Sequence, residues 1–497
     1  MTNLDLAKAR NALDNDHLVD VLVKKRERNS EIKENEQTKK SKQIGEYVRM
    51  TEQEYMARER VMHKSTVRKN IELKHTGLVI NCEKYQVSVS IDGIITGEEL
   101  LKEQFTGEES IVDLHAEYPV KIVNCSVPMK KDGYASMKKD GTSVGFSQAE
   151  LYVATQVTGV PFGILIDKHQ NRVPVIFNDV GFVNHVIKAI QWAHKVEECG
   201  HSMVYDPPSC PELYPNMRHV TLDVELQNEK YELAKKNCEL TLLANVSVEK
   251  RNAMKQNHGV DRMDDPKLTV ESLIKESEKA KRKTVGALID ANKREKDITP
   301  LHNIKEYRVG DAGLDFETLK PGYEGWNIAF LFMIGFAYKN DACFEGIRVA
   351  KITKEEQLRI LNYFLKRVKE LNIRRVIHWG NHEKMIFEKL ETYYDIEILN
   401  RFDMIDLCTI TKNIPWAPKG AFDYSVKSFG KALYESKLID TTWTTQCTDG
   451  SSAAYEAGIA YLQENTDELD DIQEYNRIDV VVMMQIYNYM RSIEIIE

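Results

Sequence analysis

Acidic residues near the end of the chain stand at spacings that could hold a metal ion. In LDFET, Asp315 and Glu317 are two residues apart within an apolar run. Side chains two apart on a β-strand project from the same face, and two carboxylates there would repel each other unless a cation lay between them. In EYNRIDVVVMMQIYNYM, Tyr475 and Asp479 are four residues apart, which places them on one face of a helix. A tyrosine one turn before a metal-bound aspartate could hold an attacking water.

Hydrolysis of a phosphodiester bond with two metal ions is the chemistry that such carboxylates could support. It needs carboxylates that converge from separate elements on two cations about 3.5–4 Å apart, one preparing the water and the other stabilising the leaving oxygen. Hard divalent cations prefer oxygen ligands, which makes Asp and Glu the expected residue types. Each pattern also has a plainer interpretation: the DxE pair could face solvent from a strand, and Tyr475 could pack in the core while Asp479 faces water.

The segments around these residues alternate between strands and helices. Three apolar runs separated by polar residues predict consecutive strands, and a fourth strand follows a helix whose apolar residues recur at helical spacing. The predicted strands are LDFET, NIAFLFMIGFAY, CFEGIRVA and RRVIHW, followed by the FDMIDL run. The predicted helices cover residues 354–371, 382–393, 424–434 and 471–491. Three hairpin strands, a helix and a further strand predict the start of a ribonuclease-H-like layer.

Residues 310–491 resemble the DEDD superfamily of 3′–5′ exonucleases, and specifically its tyrosine-containing branch. The DFET strand, the YNRID helix and the order of elements between them carry the resemblance. It implies that Asp315, Glu317 and Asp479 ligate two Mg²⁺ or Mn²⁺ ions and that Tyr475 positions the attacking water.

The fourth carboxylate of that family has no obvious counterpart in this sequence. The family has an aspartate at the start of the helix after the fourth strand, whereas the segment here is VIHWGNHEKMIFEKL. Glu383 is our choice, because a glutamate can reach a cation from a slightly retracted helix. Asn381 is a poorer candidate, and Asp406 of MIDL is a rival.

A second set of patterns lies in the first third of the chain. SIDGII places Asp92 in a strand-turn setting, and QAELY places Gln148 and Tyr152 four residues apart on a helix that precedes the strand GVPFGILID. Residues 55–170 resemble the RecB-type branch of the PD-(D/E)XK nucleases, whose motifs are IDG, an acid-x-Lys strand and QxxxY. The resemblance implies that Asp92 is a metal ligand and that Gln148 and Tyr152 belong to the site.

The middle motif of that branch fits two frames, and both stay open. The frame IVDLH supplies Asp113 as the acid but has His115 at the basic position. The frame YPVKI keeps Lys121 but has Pro119 in place of the acid. Lysine is charged throughout neutral pH and histidine only partly, so the domain is either an active nuclease or a degenerate one that still binds DNA.

Both resemblances in one chain predict an α/β multidomain protein of the RecB nuclease family. In it, a PD-(D/E)XK restriction-endonuclease-like domain is joined by a helical connector to a ribonuclease-H-like exonuclease domain. The predicted parts are a charged N-terminal helical or flexible lead-in (1–54), the PD-(D/E)XK nuclease-like domain (55–200), a linker and helical connector (201–305), and the ribonuclease-H-like 3′–5′ exonuclease domain (306–497).

Composition narrows the function classes. The chain has 497 residues, of which 42% are hydrophobic and 29% charged, and this is typical of a globular protein with several domains. The net charge of −9 excludes a global basic field, although a local basic groove stays possible. The longest apolar run, residues 328–337, is too short to span a bilayer, and the start of the chain has no secretory signal. We therefore expect a cytoplasmic protein without a membrane partner. Cys199 and Cys210 have no close third cysteine, which argues against an iron–sulfur cluster.

The sequence therefore predicts a nuclease that depends on Mg²⁺ or Mn²⁺ and acts on single-stranded DNA or DNA ends, with 3′–5′ cleavage in the C-terminal domain. Repair, recombination and processing of replication ends are all compatible with it. Two alternatives stay open: the main activity lies in the N-terminal domain, with Asp92 and Asp113 on one metal, or neither site turns over and the chain is a DNA-binding or scaffolding subunit. Neither set of motifs reads the 2′-hydroxyl, so DNA and RNA are not distinguished.

Overall fold

The chain is a mixed α/β protein built from three sheets and many helices. The computed structural model describes residues 4–25, 71, 73–102, 104–123, 125–140, 142–219, 224–295, 308–319, 329–339, 343–443, 450–462 and 469–496. The chain divides into two compact units, Met1–Thr241 and Leu242–Glu497. The division falls inside the segment predicted as linker and connector, so that segment is shared between unit 1 and unit 2. Within the described ranges, none of the helices is long and apolar enough to cross a bilayer.

Unit 1 contains two small mixed sheets. The three-stranded sheet has the order β1-β3-β2, with β1 parallel to β3, and the four-stranded sheet has the order β4-β5-β6-β7, with β5 parallel to β6. The strands are β1 (Leu4–Asp5), β2 (Leu78–Cys82), β3 (Val87–Ile91), β4 (Gly93–Thr96), β5 (Glu117–Ile122), β6 (Phe162–Ile166) and β7 (Arg172–Ile176). The helices are α1 (Arg10–Leu13), α2 (Gly97–Leu100), α3 (Ser143–Thr158), α4 (Val180–Cys199) and α5 (Val224–Lys236), and residues 17–25 are also helical.

Helix α3 forms the centre of unit 1. It begins at a Thr142 cap, whose hydroxyl accepts a hydrogen bond from Gly145 N, and it ends at Gly159, whose φ of +74° suits a residue without a Cβ. Ala149 and Val153 pack in the core around β3 and α4, whereas Leu151 packs in the core behind β6 and β7. The helix thereby joins the two hydrophobic cores, which explains why the helix is buried on most of its faces.

The first part of the predicted lead-in belongs to unit 1, whereas the sequence set it apart as a separate segment. Residues 4–25 pack into unit 1, because Leu4 and Leu6 are buried and β1 pairs with β3. An ion pair also holds the segment in place. The ammonium of Lys230 on α5 is fully buried and donates a hydrogen bond to Asp16 Oδ2 at 2.6 Å. A buried charge needs such a partner. Residues 26–54 lie outside the described part of the chain.

Unit 2 is organised by a five-stranded sheet of order β10-β9-β8-β11-β12. Strands β8, β9 and β10 run antiparallel to one another, whereas β11 and β12 are parallel to β8 and to each other. The strands are β8 (Asp311–Leu319), β9 (Phe330–Tyr338), β10 (Phe344–Arg348), β11 (Arg375–His378) and β12 (Asp403–Asp406). Strands β8 to β11 confirm the four strands predicted from the sequence, and β12 forms from the FDMIDL run.

The helices of unit 2 include the four that the sequence predicts after residue 350. They are α6 (Val248–His258), α7 (Val270–Leu273), α8 (Lys279–Lys293), α9 (Lys354–Glu370), α10 (His382–Tyr394), α11 (Leu407–Asn413), α12 (Val426–Glu435), α13 (Gly450–Leu462) and α14 (Leu469–Ser492). The connector helices pack within unit 2, since Asn292 of α8 donates to Ala421 O at 2.8 Å and Tyr424 OH donates to Thr284 O at 3.2 Å.

Alternation along β8 separates the core face from the acidic face. Leu314 and Phe316 lie in the hydrophobic core, where the Phe316 ring meets Phe387 of α10 edge-on with 4.9 Å between centroids. Gly313 lies on the other face, and a Cβ there would come within 2.6 Å of Met484 of α14. Asp315, two residues on from Gly313, therefore projects from the side of the sheet that α14 covers.

Candidate metal centre

Three carboxylates from two elements meet at the end of β8. Asp315 and Glu317 come from the strand, and Asp479 comes from α14. One oxygen atom of each lies within 4.8 Å of the corresponding oxygens of the other two. The predicted strand and helix thus bring together the three acids that the sequence singled out. Carboxylate oxygens at this spacing are suited to a hard divalent cation.

Without a cation, burying three carboxylates so close together costs the protein folding free energy. Glu317 and Asp479 are only 4% and 8% exposed. Burial, followed by repulsion from Asp479 and Glu317, raises the pKa of Asp315 well above its ordinary value. Burial likewise raises the pKa of Asp479 to about 6, although Lys427, Tyr475 and Trp443 oppose the shift. A bound cation would relieve this repulsion, as expected of a metal site.

Glu383 is the fourth acid in this neighbourhood. It lies in the first turn of α10, is buried, and its charge raises the pKa of each of the three acids in the cluster. Its Oε2 atom is 3.5 Å from Nδ1 of His378, at the end of β11. Glu383 is not a member of the three-residue group, so it stands beside the cluster.

Asp406, the rival fourth acid, is used as a helix cap. Its carboxylate accepts hydrogen bonds from Gly380 N at 2.8 Å and from both N and Oγ1 of Thr409 at the start of α11. Burial raises the pKa of Asp406, but these hydrogen bonds outweigh it and leave the pKa below its ordinary value. Its oxygens are therefore occupied, and the structure favours Glu383 over Asp406 as the neighbour of the cluster.

Tyr475 stands one turn before Asp479 and donates its hydroxyl hydrogen bond to that carboxylate. Burial and the three neighbouring acids raise the pKa of Tyr475, which keeps the phenol protonated. The ammonium of Lys427, on α12, lies 4.7 Å from the centre of the Tyr475 ring. Burial raises the pKa of both Glu317 and Asp479, and the charge of Lys427 opposes this rise. The cluster therefore has a neutral hydroxyl donor and a cation at its border.

Two neutral donors that the sequence did not single out hold the acids. Asn476, fully buried, donates from Nδ2 to Asp315 Oδ2 at 2.7 Å, and Trp443 donates from Nε1 to Asp479 Oδ1 at 2.7 Å. Asn476 stands inside the YNRID pattern, so its amide was a visible signal. Trp443 lies in a segment without periodicity, and nothing local pointed to it.

Gly335 makes room for Asn476. It is directly opposite Asp315 in the β8–β9 pairing, and a Cβ at this position would lie 1.7 Å from Asn476 Oδ1. A glycine in the middle of an apolar strand often marks a close approach of another group. The G of FLFMIGFAY was therefore a second signal of the site.

In unit 1, Asp92 lies beside β5, the strand that carries Lys121. Asp92, between β3 and β4, is buried and accepts a hydrogen bond from Ile122 N at 2.8 Å. Lys121 of β5 is also buried; its ammonium donates to Ser90 O at 2.8 Å and lies 2.5 Å from a carboxylate oxygen of Glu150. Glu150, on α3, is an acid that the sequence reasoning missed, although it stands two residues after Gln148.

The other predicted residues of unit 1 are placed differently. Asp113 and His115 are exposed in the loop before β5, where Asp113 Oδ1 accepts from His115 N at 2.9 Å, so the frame IVDLH is wrong and YPVKI is the strand. Gln148 is fully buried and holds backbone groups of residues 136 and 138. Tyr152 OH is 2.8 Å from Tyr85 OH. None of these hydrogen bonds places Gln148 or Tyr152 next to Asp92.

The sequence matches no family model and no curated protein. The family resemblance of each unit therefore depends on the motifs and on the geometry described above, and the function drawn from it is a proposal.

Proposed function

We propose that the chain is a nuclease that depends on divalent cations, with 3′–5′ exonucleolytic cleavage of single-stranded DNA in unit 2. The observation that carries the proposal is the cluster of Asp315, Glu317 and Asp479, whose oxygens lie within 4.8 Å of one another. The cluster brings together carboxylates from two separate elements, and two-metal hydrolysis needs carboxylates that converge on the cations. The polarity and the preference for DNA come from the resemblance to the DEDD exonucleases.

The topology of unit 2 supports the proposal. In chain order its sheet reads 3-2-1-4-5, with the second strand antiparallel to the first and the last two strands parallel to it. This is the arrangement expected of a ribonuclease-H-like domain. We propose that fold for unit 2 and a PD-(D/E)XK-like fold for unit 1.

The residues around the cluster fit Mg²⁺ or Mn²⁺. Asp315, Glu317 and Asp479 would hold the cations through oxygen ligands, and Glu383 would supply the fourth carboxylate. When bound, the cations supply a water of lowered pKa and stabilise negative charge on the leaving oxygen. The buried carboxylates repel one another, and this repulsion is the property of the chain that favours cation binding.

The remaining side chains orient the reactants. Tyr475, protonated because its pKa is raised, can donate a hydrogen bond to the attacking water or accept one from it. Lys427, beside the Tyr475 ring, can neutralise a non-bridging phosphate oxygen. Trp443 and Asn476 hold Asp479 and Asp315 in position without adding a competing charge.

Digestion of single-stranded DNA labelled at its 5′ end tests the proposal. With Mn²⁺ we expect a ladder that shortens from the 3′ end, no cleavage in EDTA, and a rate at least about 100-fold lower in Asp315→Asn, because a lost ligand costs several kcal/mol of transition-state stabilisation. Asp403→Asn, on the exposed end of β12, is the matched control and should cleave like the wild type. Full activity of Asp315→Asn would refute the assignment.

A second candidate places the activity in unit 1. The buried group of Asp92, Lys121 and Glu150 favours it, since it combines two acids with a lysine. In this case Asp92→Asn would abolish cleavage and Asp315→Asn would not. If wild type, Asp92→Asn and Asp315→Asn all bind DNA and none cleaves it, the chain is a DNA-binding or scaffolding subunit. The same digestion with an RNA strand decides between the two nucleic acids.

A further inference from the structure

A short lysine-rich pattern occurs twice in unit 1, between β5 and α3. MKKDG stands at residues 129–133 and again at residues 137–141. We refer to residues 128–140 as the lysine loop. The proposed chemistry of unit 2 uses none of these residues, and the loop lies eight or more residues before the start of the QAELY pattern.

The aspartates of the two repeats are engaged by the chain itself. Asp132 Oδ1 accepts a hydrogen bond from Tyr134 N at 3.3 Å. Asp140 Oδ1 accepts one from Thr142 N at 3.2 Å and another from the Thr142 hydroxyl. Such turns use the acidic side chain to satisfy local backbone groups. The negative charges are thereby directed towards the backbone of the loop.

The backbone of the lysine loop is fixed at several points. Lys130 N donates to Tyr134 O at 2.8 Å, and Ser136 N donates to Pro128 O at 2.7 Å. The buried side chain of Gln148 accepts from Lys138 N at 2.8 Å and donates to Ser136 O at 3.0 Å. Gln148, predicted from its motif to belong to a catalytic site, is thus the anchor of this loop.

The lysine side chains are left towards solvent. Lys130, Lys131 and Lys139 are exposed, and Lys138 is half-buried. Lys139 lies 3.5 Å from Asp179, an ion pair in which both side chains are about half exposed. Within the described part of the chain, no ion pair involves the other three. In a chain with a net charge of −9, this loop is a local concentration of positive charge.

We propose that the lysine loop is a binding surface for the phosphate backbone of a nucleic acid strand. The choice of nucleic acid among polyanions rests on the proposed function of unit 2. Lysines bind phosphates without reading sequence, and release of counterions drives the association. A backbone that is already fixed loses little entropy on binding, so the loop is prepared for this contact.

Salt-dependent binding of a fluorescein-labelled oligothymidylate to the full chain tests the proposal. The measurements use Asp315→Asn in EDTA, so that the strand is not consumed. Replacing Lys130, Lys131, Lys138 and Lys139 together by Gln should weaken binding about tenfold or more and flatten the slope of log K against log salt by about 2–3, since each phosphate contact on a single strand contributes about 0.7. The matched control replaces Lys74, Lys84, Lys188 and Lys195, four exposed lysines elsewhere in unit 1, and should change neither quantity.

The outcomes separate this proposal from the proposed function. Unchanged affinity and slope in the lysine-loop variant overturn the binding surface, whether or not the wild type cleaves DNA. Weakened binding in the variant, together with a wild type that never cleaves, supports the surface and refutes the nuclease. Binding to vesicles of phosphatidylcholine and phosphatidylserine in equal parts that matches binding to the strand would overturn the choice of nucleic acid.

Discussion

At the scale of single residues, neutral hydrogen-bond donors hold the carboxylates of the candidate metal centre. Trp443 and Asn476 each give one N–H to an acid at 2.7 Å. A neutral donor orients a carboxylate and leaves its full charge to a cation, whereas a lysine or arginine in the same place would compete with the cation. Residues that hold metal ligands in this way tune metal affinity without contacting the metal.

Trp443→Phe should weaken Mn²⁺ binding. The change removes the N–H that Trp443 donates to Asp479, together with the outer edge of the indole, which packs against Gly430 and the core. We expect an affinity about 10–100-fold lower in calorimetric titration. Trp379→Phe is the control, because the indole of Trp379 donates to a backbone carbonyl, Tyr424 O, instead. Equal Mn²⁺ affinity in Trp443→Phe and wild type would show that the indole does not hold the acid for a cation.

The raised pKa of Asp479 predicts how stability depends on pH without metal. A carboxyl whose pKa rises on folding binds its proton more tightly in the folded state, so its contribution is present below its ordinary pKa of 3.8 and is lost as the pH rises to about 6. In EDTA, Asp479→Asn should therefore be more stable than wild type by about 2–3 kcal/mol near pH 8, with the gap closing towards about pH 4.

Denaturant unfolding of both proteins across this pH range measures the difference. Added Mn²⁺ should reverse the order near neutral pH, because only the wild type offers the complete set of ionised ligands and a ligand stabilises the state that binds it. An Asp479→Asn protein that is less stable than wild type at every pH in EDTA would contradict the prediction.

The acids of unit 2 could be predicted because each pair has a local pattern. Asp315 and Glu317 share a strand face, and Tyr475 and Asp479 share a helix face. Glu150 of unit 1 could not be predicted, since its partner Lys121 is on β5 and only the packing of α3 brings them to 2.5 Å. Trp443 was missed for the same reason. Contacts between distant segments are a property of the packing, which periodicity does not report.

At the scale of elements, the β8–β9 pair and α14 meet at one glycine. Gly335→Ala should displace Asn476, because the added Cβ would lie 1.7 Å from Asn476 Oδ1. We expect a loss of about 1–3 kcal/mol in the free energy of unfolding, as for other overpacked cores, together with weaker Mn²⁺ binding.

Gly286→Ala is the matched control for this prediction. Gly286 lies within α8, where the nearest atom to an added Cβ is 3.7 Å away. Alanine favours a helix more than glycine does, so this variant should be more stable by about 0.5–1 kcal/mol. Equal effects of the two substitutions, measured by denaturant unfolding, would show that Gly335 is not a point of close packing.

The elements themselves were largely predictable, except that two frames stayed open for the strand before Cys125. The helices and strands of unit 2 follow long apolar patterns, and the predicted strands and helices are confirmed there. Before β5 the apolar residues of IVDLH and YPVKI form two adjacent candidate strands, and alternation alone does not choose between them. The turn at Asp113, whose carboxylate accepts from His115 N, ends the first candidate and leaves β5 to start at Glu117.

At the scale of the whole chain, the boundary between units differs from the predicted start of the exonuclease domain. The chain divides after residue 241, whereas the sequence placed that start at residue 306. The connector helices supply contacts that a fragment starting at 306 would lose, including the hydrogen bond from Ala244 N to Phe422 O at 2.8 Å and that from Asn292 to Ala421 O. The composition of residues 201–305 indicates a helical, charged segment, but it does not show to which unit this segment belongs.

A fragment of residues 242–497 should bind Mn²⁺, because every acid of the candidate metal centre belongs to it. It should melt at a higher temperature than a fragment of residues 306–497, which lacks α6, α7 and α8. Melting followed by circular dichroism with Mn²⁺ and with EDTA measures both effects. Equal stability of the two fragments would show that the connector helices do not contribute to unit 2.

The ion pair between Asp16 and Lys230 has a consequence for the synthesis of the protein. The two residues are 214 positions apart in the sequence. Strand β1 likewise has no pairing partner until β3 has been synthesised. During translation, residues 4–25 leave the ribosome long before the residues that bury them. Unit 1 therefore completes its core only near the end of its own synthesis. A pause in translation before residue 230 would prolong the exposure of Leu4, Leu6 and the Asp16 carboxylate to chaperones and proteases.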